Sequence, residues 1–192
     1  MNQLNYFSKD GIVKIAGNLK RRKVGVFPAD TVYGLGGRAD KSSVIKKVYR
    51  LKKRDKKKPF LILVSSMSMA KKYVEINEKQ EKFLRSKWPG KLTAVLESKG
   101  ILPKELSGTG KIGVRFPNNK WLRKIIRRLG APLIATSANL SGQPSVIDSK
   151  DIKIRPDFIV DSGKLPKSRE STIVDLTGDK IMVLRQGDLK IK

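Results

Sequence analysis

The chain has 192 residues, of which 43 are Lys or Arg and 17 are Asp or Glu, so its formal net charge is +26. It contains no cysteine and no histidine, which excludes disulfides, thiol nucleophiles, imidazole bases and metal sites built from these residues. The remaining polar side chains suit phosphate binding, where alignment and charge neutralisation matter more than proton transfer.

Length and composition predict one globular domain over residues 1–192, because 39% of the residues are hydrophobic and can form a core. No apolar run approaches the roughly 18 residues needed to span a bilayer. The first residues also lack the pattern of a secretory signal. We therefore expect a cytoplasmic protein without a membrane partner.

The predicted elements alternate between helices and strands. Apolar residues at helical spacing predict a helix capped by Ser8, a second starting at Ser42, and others at 67–73, 78–88 and 122–129. Runs of β-branched and apolar residues predict strands at 24–27, 60–64, 92–96, 112–116, 132–136, 158–161, 172–176 and 181–185. The Gly-rich segment 30–37 breaks this pattern and is predicted to be a loop. The mixed order favours one α/β sheet domain.

Two glycine-containing segments resemble familiar nucleotide-binding motifs but lack a required residue. Gly110-Lys111 resembles the end of a P-loop, but Ile112 stands where a hydroxyl residue belongs. Gly34-Leu35-Gly36 follows a predicted strand, but Ala39 stands where a dinucleotide fingerprint has its third glycine. We therefore expect neither a P-loop nor a Rossmann site.

Three polar clusters lie next to predicted strands, where α/β sheets usually present ligands. They are the segment 28–36, the basic run 52–59 and the hydroxyl-rich segment 136–142. Each has an ordinary structural interpretation as a turn, a solvated charged face or a cap. Each could instead bind an anion, because clustered cations repel one another and small hydroxyl residues donate to phosphate oxygens.

Arg115 lies between Val114 and Phe116 in a strand that is predicted to be buried. A buried guanidinium needs an acidic partner or an anionic ligand. The sequence leaves open whether Arg115 forms an internal salt bridge or binds a ligand.

Taken in chain order, these clusters resemble the motifs of the YrdC-like threonylcarbamoyl-AMP synthase family. The matching segments are Pro28-Ala29-Asp30-Thr31-Val32-Tyr33-Gly34-Leu35, Lys52-x-Arg54, Trp88-Pro89-Gly90-x-Leu92-Thr93, Val114-Arg115-Phe116-Pro117, Ser137-x-Asn139, Glu170-Ser171-Thr172-Ile173-Val174-Asp175 and Leu184-Arg185-Gln186-Gly187. The resemblance extends over residues 8–188. An ordered set of matches is far more specific than any one of them.

The resemblance implies a single domain in which a twisted, mostly mixed β-sheet is flanked by helices and forms a basic concave active site. It also implies conversion of L-threonine, bicarbonate and ATP to threonylcarbamoyl-AMP and pyrophosphate, with Mg²⁺ accompanying ATP. A tRNA-modifying threonylcarbamoyl transferase complex would use the product, and direct binding of RNA or tRNA would suit the basic charge.

The family's functional positions are carried over to matching residues of this chain. The implied catalytic residues are Lys52, Arg54, Ser137 and Asn139. The implied ATP-binding residues are these four with Lys58, Lys111, Ser145 and Arg185. The implied threonine-binding residues are Thr31, Arg115 and Ser171, with Arg115 paired to the carboxylate of threonine. No protein metal site is implied, because phosphates and water would supply most ligands of Mg²⁺.

Several positions depart from the family's pattern. Asp55 replaces the usual proline after the signature arginine, Ala29 replaces a hydroxyl residue, Lys91 stands where proline is common, and Asn119 replaces a common histidine. The change at Asn119 bears on substrate positioning and leaves the ATP-binding residues in place.

Two other functions are compatible with the same fold. One is a catalytically inactive RNA-binding module that keeps the basic concavity, which the charge supports. The other is a related carbamoyl-adenylating activity of the kind found in hydrogenase maturation, although those domains are parts of much longer chains. Intact Lys52, Arg54, Ser137 and Asn139 favour the synthase over the inactive module.

Overall fold

The computed structural model of the chain describes residues 7–191. Its described strands are β1 Gly25–Pro28, β2 Tyr33–Gly36, β3 Leu61–Leu63, β4 Leu92–Glu97, β5 Lys111–Arg115, β6 Leu133–Ser137, β7 Phe158–Ile159, β8 Thr172–Asp175 and β9 Met182–Arg185. They form one sheet in the order β7-β1-β2-β6-β3-β5-β4-β8-β9.

The sheet is mixed. The pairs β1–β7, β3–β5 and β4–β8 are parallel, and the other neighbouring pairs are antiparallel. Parallel neighbours need crossover connections, which the helices between the strands provide. The predicted α/β fold with a mixed sheet flanked by helices is confirmed.

Six α-helices and one short 3₁₀ turn are described in residues 7–191. The helices are α1 Lys9–Lys20, α2 Ser42–Lys52, α3 Met67–Tyr73, α4 Glu78–Lys87, α5 Lys104–Ser107 and α6 Lys120–Leu129, and the 3₁₀ turn is Ser149–Asp151. Ser8 caps α1 by accepting a hydrogen bond of 3.0 Å from the Gly11 N–H, as predicted. Asn77 and Gln80 form a reciprocal capping box at α4.

Helices cover both faces of the sheet. On one face, the apolar sides of α1 and α6 form a core with Ile15, Leu19, Ile125 and Ile126 at its centre. On the other face, α2, α3 and α4 enclose a larger core. Consecutive residues of β3 point to opposite sides, since Ile62 belongs to the larger core and Leu63 to the smaller one.

The prediction of a loop over segment 30–37 is wrong for its second half, because this part of the segment forms β2. Glycine spacing suggested a turn, but here it permits close sheet packing. A side chain at Gly36 would clash with the main-chain oxygen of Ile134 on β6. Helix α5 was also not predicted, because four residues give no detectable period.

In residues 7–191, every helix is too short or too polar to cross a membrane.

Candidate active site

A cleft of about 580 Å³ lies over one face of the central strands. Its lining includes residues from β2, β3, β4, β5, β6, β8 and β9. The charged side chains in the lining are basic Arg54, Lys111, Arg115 and Arg185 and acidic Asp30 and Glu170. The excess of cations creates a positive potential that attracts anions. This cleft has the basic, concave character that the resemblance implies.

Lys52 lies beneath the cleft as the last residue of α2, and it is only 1% exposed. Its ammonium group donates to the main-chain oxygen of Ser137 at 2.6 Å, and to the main-chain oxygen and Oδ1 of Asn139 at 2.8 Å each. Burial, with a smaller effect of the nearby charge of Arg54, lowers the pKa of Lys52 to about 8. All three donors of the ammonium group are therefore used to hold the segment after β6.

The segment after β6 is held by a connected set of hydrogen bonds. Ser137 Oγ donates to Asn139 Oδ1 at 2.5 Å, and Asn139 Nδ2 donates to the main-chain oxygen of Gln143. Asn139 is buried, whereas Ser137 lines the cleft. Lys52 and Asn139 thus fix the place at which the Ser137 hydroxyl meets a ligand.

Arg54 reaches the cleft because α2 ends in a left-handed residue, Lys53, with φ of 48°. Arg54 Nε donates to the main-chain oxygen of Lys58 at 2.8 Å. The guanidinium carbon lies 5.2 Å from the ring centre of Phe60, within the range of a cation–π interaction. Burial lowers the pKa of Arg54. By contrast, the Lys58 side chain is exposed and lies outside the cleft lining.

Arg115 is buried at the end of β5 and forms an ion pair of 2.7 Å with Asp30 Oδ1. Arg115 Nε also donates to the main-chain oxygen of Gly90 at 3.2 Å. The other oxygen of Asp30 accepts from the Asn118 N–H at 3.1 Å. The internal salt bridge left open by the sequence is therefore present. Arg115 nevertheless lines the cleft beside Thr31, so a ligand can still reach it.

Ser171 and Arg185 meet at the wall of the cleft next to β8 and β9. Arg185 Nη2 donates to the main-chain oxygen of Ser171 at 2.9 Å and to its Oγ at 3.3 Å. Ser171 Oγ shares a hydrogen bond of 2.9 Å with Oγ1 of the buried Thr93. The hydroxyl pair and Arg185 therefore form one polar surface above β4 and β8.

Glu170 is the acidic group of this wall. Its Oε2 pairs with Arg185 Nη1, and its Oε1 accepts a hydrogen bond from Ser145 Oγ. Lys111, also in the cleft, donates to Thr177 Oγ1 at 2.5 Å and lies 3.6 Å from Asp175 Oδ2. Ser145 does not line the cleft, but it contacts Glu170, which does.

The structure brings most of the predicted site residues together. The cleft is lined by Thr31, Arg54, Lys111, Arg115, Ser137, Ser171 and Arg185. Lys52 and Asn139 lie beneath it, Ser145 lies at its edge behind Glu170, and Lys58 is outside. The predicted set omits Asp30, Thr93 and Glu170, although each lies in a segment that carries the resemblance. Their only sequence signal is a position next to, or in the same motif as, a predicted ligand residue.

The residues that the structure describes contain no group of three or more His, Cys, Asp or Glu side chains that could hold a metal ion. A Mg²⁺ ion that enters with a nucleotide needs only one or two carboxylates in addition to phosphate oxygens and water. Glu170 is a carboxylate of this kind in the cation-rich part of the cleft.

Comparisons with known proteins identify the family of this chain. The protein family described as "Telomere recombination", defined by Sua5, YciO and YrdC, matches residues 18–187. A Methanocaldococcus jannaschii relative is 34% identical over 175 residues, which are 88% of this chain and 82% of the relative. A Bacillus subtilis protein named threonylcarbamoyl-AMP synthase is 32% identical over 185 residues, or 93% of this chain and 54% of that protein.

A solved structure shows the same fold. The crystal structure of Pyrococcus abyssi Sua5 complexed with L-threonine superimposes with a TM-score of 0.88 at 32% identity. The match covers 95% of this chain and 55% of the Pyrococcus chain. This chain therefore spans about half the length of the Bacillus and Pyrococcus relatives.

Proposed function

The chain belongs to the family of Sua5, YciO and YrdC, and from this premise we propose that it is a threonylcarbamoyl-AMP synthase. The reaction converts L-threonine, bicarbonate and ATP to threonylcarbamoyl-AMP, pyrophosphate and water. Because the adenylyl group moves from pyrophosphate to a carbamate oxygen, the enzyme would be a nucleotidyltransferase.

One observation carries the proposal: the side chains expected to bind an amino acid and those expected to bind a triphosphate line a single cleft. Thr31, Arg115 and Ser171 supply hydroxyl groups and a guanidinium. Arg54, Lys111, Ser137 and Arg185 supply three cations and a hydroxyl. A shared cleft is what a reaction between two bound substrates requires.

The threonine carboxylate would bind Arg115. In this structure Asp30 and the Gly90 carbonyl accept from Nη2 and Nε, and no hydrogen bond from Nη1 to a residue in 7–191 is present. The guanidinium has five N–H groups, so donors on both terminal nitrogens remain for a carboxylate. Asp30 would hold the guanidinium plane in place, and the hydroxyls of Thr31 and Ser171 would complete the pocket.

The triphosphate would lie against Arg54, Lys111 and Arg185. Burial of Arg54 strengthens its interaction with an anion, because the surrounding dielectric constant is low. The Ser137 hydroxyl, which donates to Asn139 Oδ1 in the free protein, would turn to donate to a phosphate oxygen. Lys52 and Asn139 would act as positioning residues, since their side chains hold the segment that carries Ser137.

Mg²⁺ would neutralise part of the triphosphate charge, and Glu170 would be the cleft carboxylate that helps to hold it. The protein's own contribution to the reaction would be alignment and electrostatics. The threonine nitrogen forms a bond to the carbon of bicarbonate, and water is lost. A carbamate oxygen then forms a bond to the α-phosphorus as the bond to pyrophosphate breaks. Arg54 and Arg185 would stabilise the negative charge on the leaving group.

The decisive experiment measures pyrophosphate release from the purified protein with ATP and Mg²⁺, with L-threonine and bicarbonate each present or omitted. Mass spectrometry of the nucleotide products is carried out in parallel. We expect release that needs both co-substrates and a product with the mass of threonylcarbamoyl-AMP. ATP binding without release, where a known relative turns over, would reject the proposal in favour of an inactive binding module.

The same mass measurement separates the third possibility. A carbamoyl-adenylating enzyme would form its adenylate without threonine, whereas the synthase would incorporate threonine into the product. The buried Arg115 in the cleft favours a substrate with a carboxylate.

We infer that the product passes to a tRNA-modifying threonylcarbamoyl transferase complex and that the reaction takes place in the cytoplasm. The net charge of +26 also supports direct contact with RNA. Charge alone gives salt-sensitive binding to any nucleic acid. Preference for tRNA over a generic polyanion at 0.15 M salt is therefore the measurement that tests this contact.

A further inference from the structure

Glu170 places a negative charge in the part of the cleft that is expected to bind a triphosphate. Its carboxylate pairs with Arg185 through Oε2 and accepts from Ser145 through Oε1. Burial lowers the pKa values of Lys52 and Arg54, and the negative charge of Glu170 acts in the opposite direction by raising them. Glu170 is therefore electrostatically connected to four residues of the predicted ATP site.

Asp30, the second acidic side chain of the cleft, is less exposed than Glu170. Both oxygens of Asp30 are bound, one by the buried Arg115 and one by the Asn118 N–H. The Asp30 side chain is 14% exposed, whereas the Glu170 side chain is 36% exposed and pairs with an Arg185 side chain that is 39% exposed. The Asp30 pair is thus built into the protein, while the Glu170 pair faces the space where a ligand would enter.

The main chain at Glu170 is fixed even though its carboxylate is accessible. A side chain at Gly187 would clash with the main-chain oxygen of Glu170, so the two segments are in close contact. The Gly187 N–H donates to Thr172 Oγ1 at 3.0 Å. Arg185 Nε donates to the Ser171 main-chain oxygen at 3.1 Å. The Glu170 main chain is therefore packed against the Gly187 segment, whereas its side chain faces the cleft.

We propose that Glu170 is the resident anion of the phosphate site and makes nucleotide binding selective for the metal-complexed form of ATP. In the free protein its carboxylate holds Arg185 and Ser145 in place. When ATP binds, these two groups would turn to phosphate oxygens, and the released carboxylate would supply an anionic ligand for the divalent cation that accompanies the triphosphate. Without the cation, the carboxylate and the triphosphate repel each other. This role rests on the proposed function.

Equilibrium binding of ATP provides the test, with threonine and bicarbonate omitted so that no turnover occurs. Calorimetry would compare the protein with its Glu170→Gln variant, in Mg²⁺ and in EDTA. For the unaltered protein we expect ATP to bind at least tenfold more tightly in Mg²⁺. In E170Q we expect binding in EDTA to tighten at least fivefold, so that the ratio between the two conditions falls toward one.

Two further variants serve as controls. Glu170→Asp keeps the charge on a shorter side chain and should retain the preference for Mg²⁺. Glu105, like Glu170, binds a serine hydroxyl (Ser42) and a cation (Lys46), but it lies outside the cleft. Glu105→Gln therefore removes a comparable carboxylate away from the site. E105Q should leave ATP binding unchanged in both conditions. Circular dichroism would show that each variant is folded.

Other results would overturn the inference. If E170Q weakened ATP binding equally in Mg²⁺ and in EDTA, the role of Glu170 would be limited to holding Arg185 in position. Unchanged binding in both conditions would show that its charge does not reach the nucleotide. Failure of the unaltered protein to bind ATP under either condition would instead reject the proposed function, and this role with it.

Discussion

Lys52 Nζ donates hydrogen bonds of 2.8 Å to both the main-chain oxygen and the side-chain Oδ1 of Asn139. The two residues belong to separate motifs, and both lie below the surface of the cleft. Their contact joins the end of α2 to the segment after β6. The Lys-x-Arg and Ser-x-Asn motifs of this chain are thus two parts of one hydrogen-bonded unit.

Replacing Lys52 with methionine should disable the site and weaken the fold. The change removes the Lys52 donor from the main-chain oxygens of Ser137 and Asn139, at a cost of about 1–3 kcal/mol. We expect pyrophosphate release to fall at least 100-fold and the free energy of unfolding, measured in urea, to fall by about 2 kcal/mol. Lys56→Met, at an exposed position of the same basic run, should change neither quantity. Normal turnover by K52M would refute the positioning role.

The titration of Lys52 should make the free energy of unfolding depend on pH. Burial lowers its pKa from 10.5 to about 8, so between these values the unfolded chain binds more protons than the folded one. The free energy of unfolding should therefore rise with pH in this window. Relative to K52M, we expect a gain on the order of 3 kcal/mol between pH 7.5 and 10.5. A constant difference between the two proteins would contradict a buried, titrating ammonium group.

Activity should change in the opposite direction to this stability contribution. Loss of the Lys52 proton above pH 8 removes one donor from the unit that holds Ser137. We expect pyrophosphate release at saturating substrates to decline as the pH rises from 8 to 9.5 while the protein remains folded by circular dichroism. Flat activity over this range would show that two remaining donors are sufficient.

Truncation of Arg115 should act on threonine more than on ATP. Arg115→Ala removes the guanidinium expected to bind the carboxylate and leaves Asp30 without its partner. We expect the KM for threonine to rise at least tenfold, with a smaller change in the KM for ATP. The double variant Asp30→Asn with Arg115→Ala removes the unpaired charge and should recover stability but not threonine binding. An unchanged threonine KM would exclude Arg115 from this role.

Glycine at position 36 should be required for the sheet. Because a Cβ atom there would clash with the Ile134 carbonyl oxygen, Gly36→Ala should destabilise the protein by about 3 kcal/mol. Gly17→Ala provides the matched comparison. Gly17 lies within α1 with open space around its Cβ position, so alanine there should stabilise by roughly 0.5–1 kcal/mol. Thermal unfolding of both variants measures the contrast, and equal effects would contradict the close strand contact.

The sequence by itself determined most helices, most strands and the family. Amphipathic spacing is a local property, so it located α1, α2 and α6, together with the Ser8 cap of α1. Ordered motifs identified the family because seven matches in sequence are specific even when each is ambiguous. The same local reasoning failed at β2, where glycines serve close packing between strands instead of a turn.

Only the tertiary structure decided which charged groups meet. Arg115 pairs with Asp30, 85 residues away, and Lys52 binds Asn139, 87 residues away. Burial of Lys52 and exposure of Lys58 likewise differ although both belong to one basic run. Such pairings depend on how separate strands and helices are brought together, and neither residue spacing nor composition encodes a partner. The physical reason is that the strength of a charge–charge contact depends on distance and burial, which are properties of the folded chain.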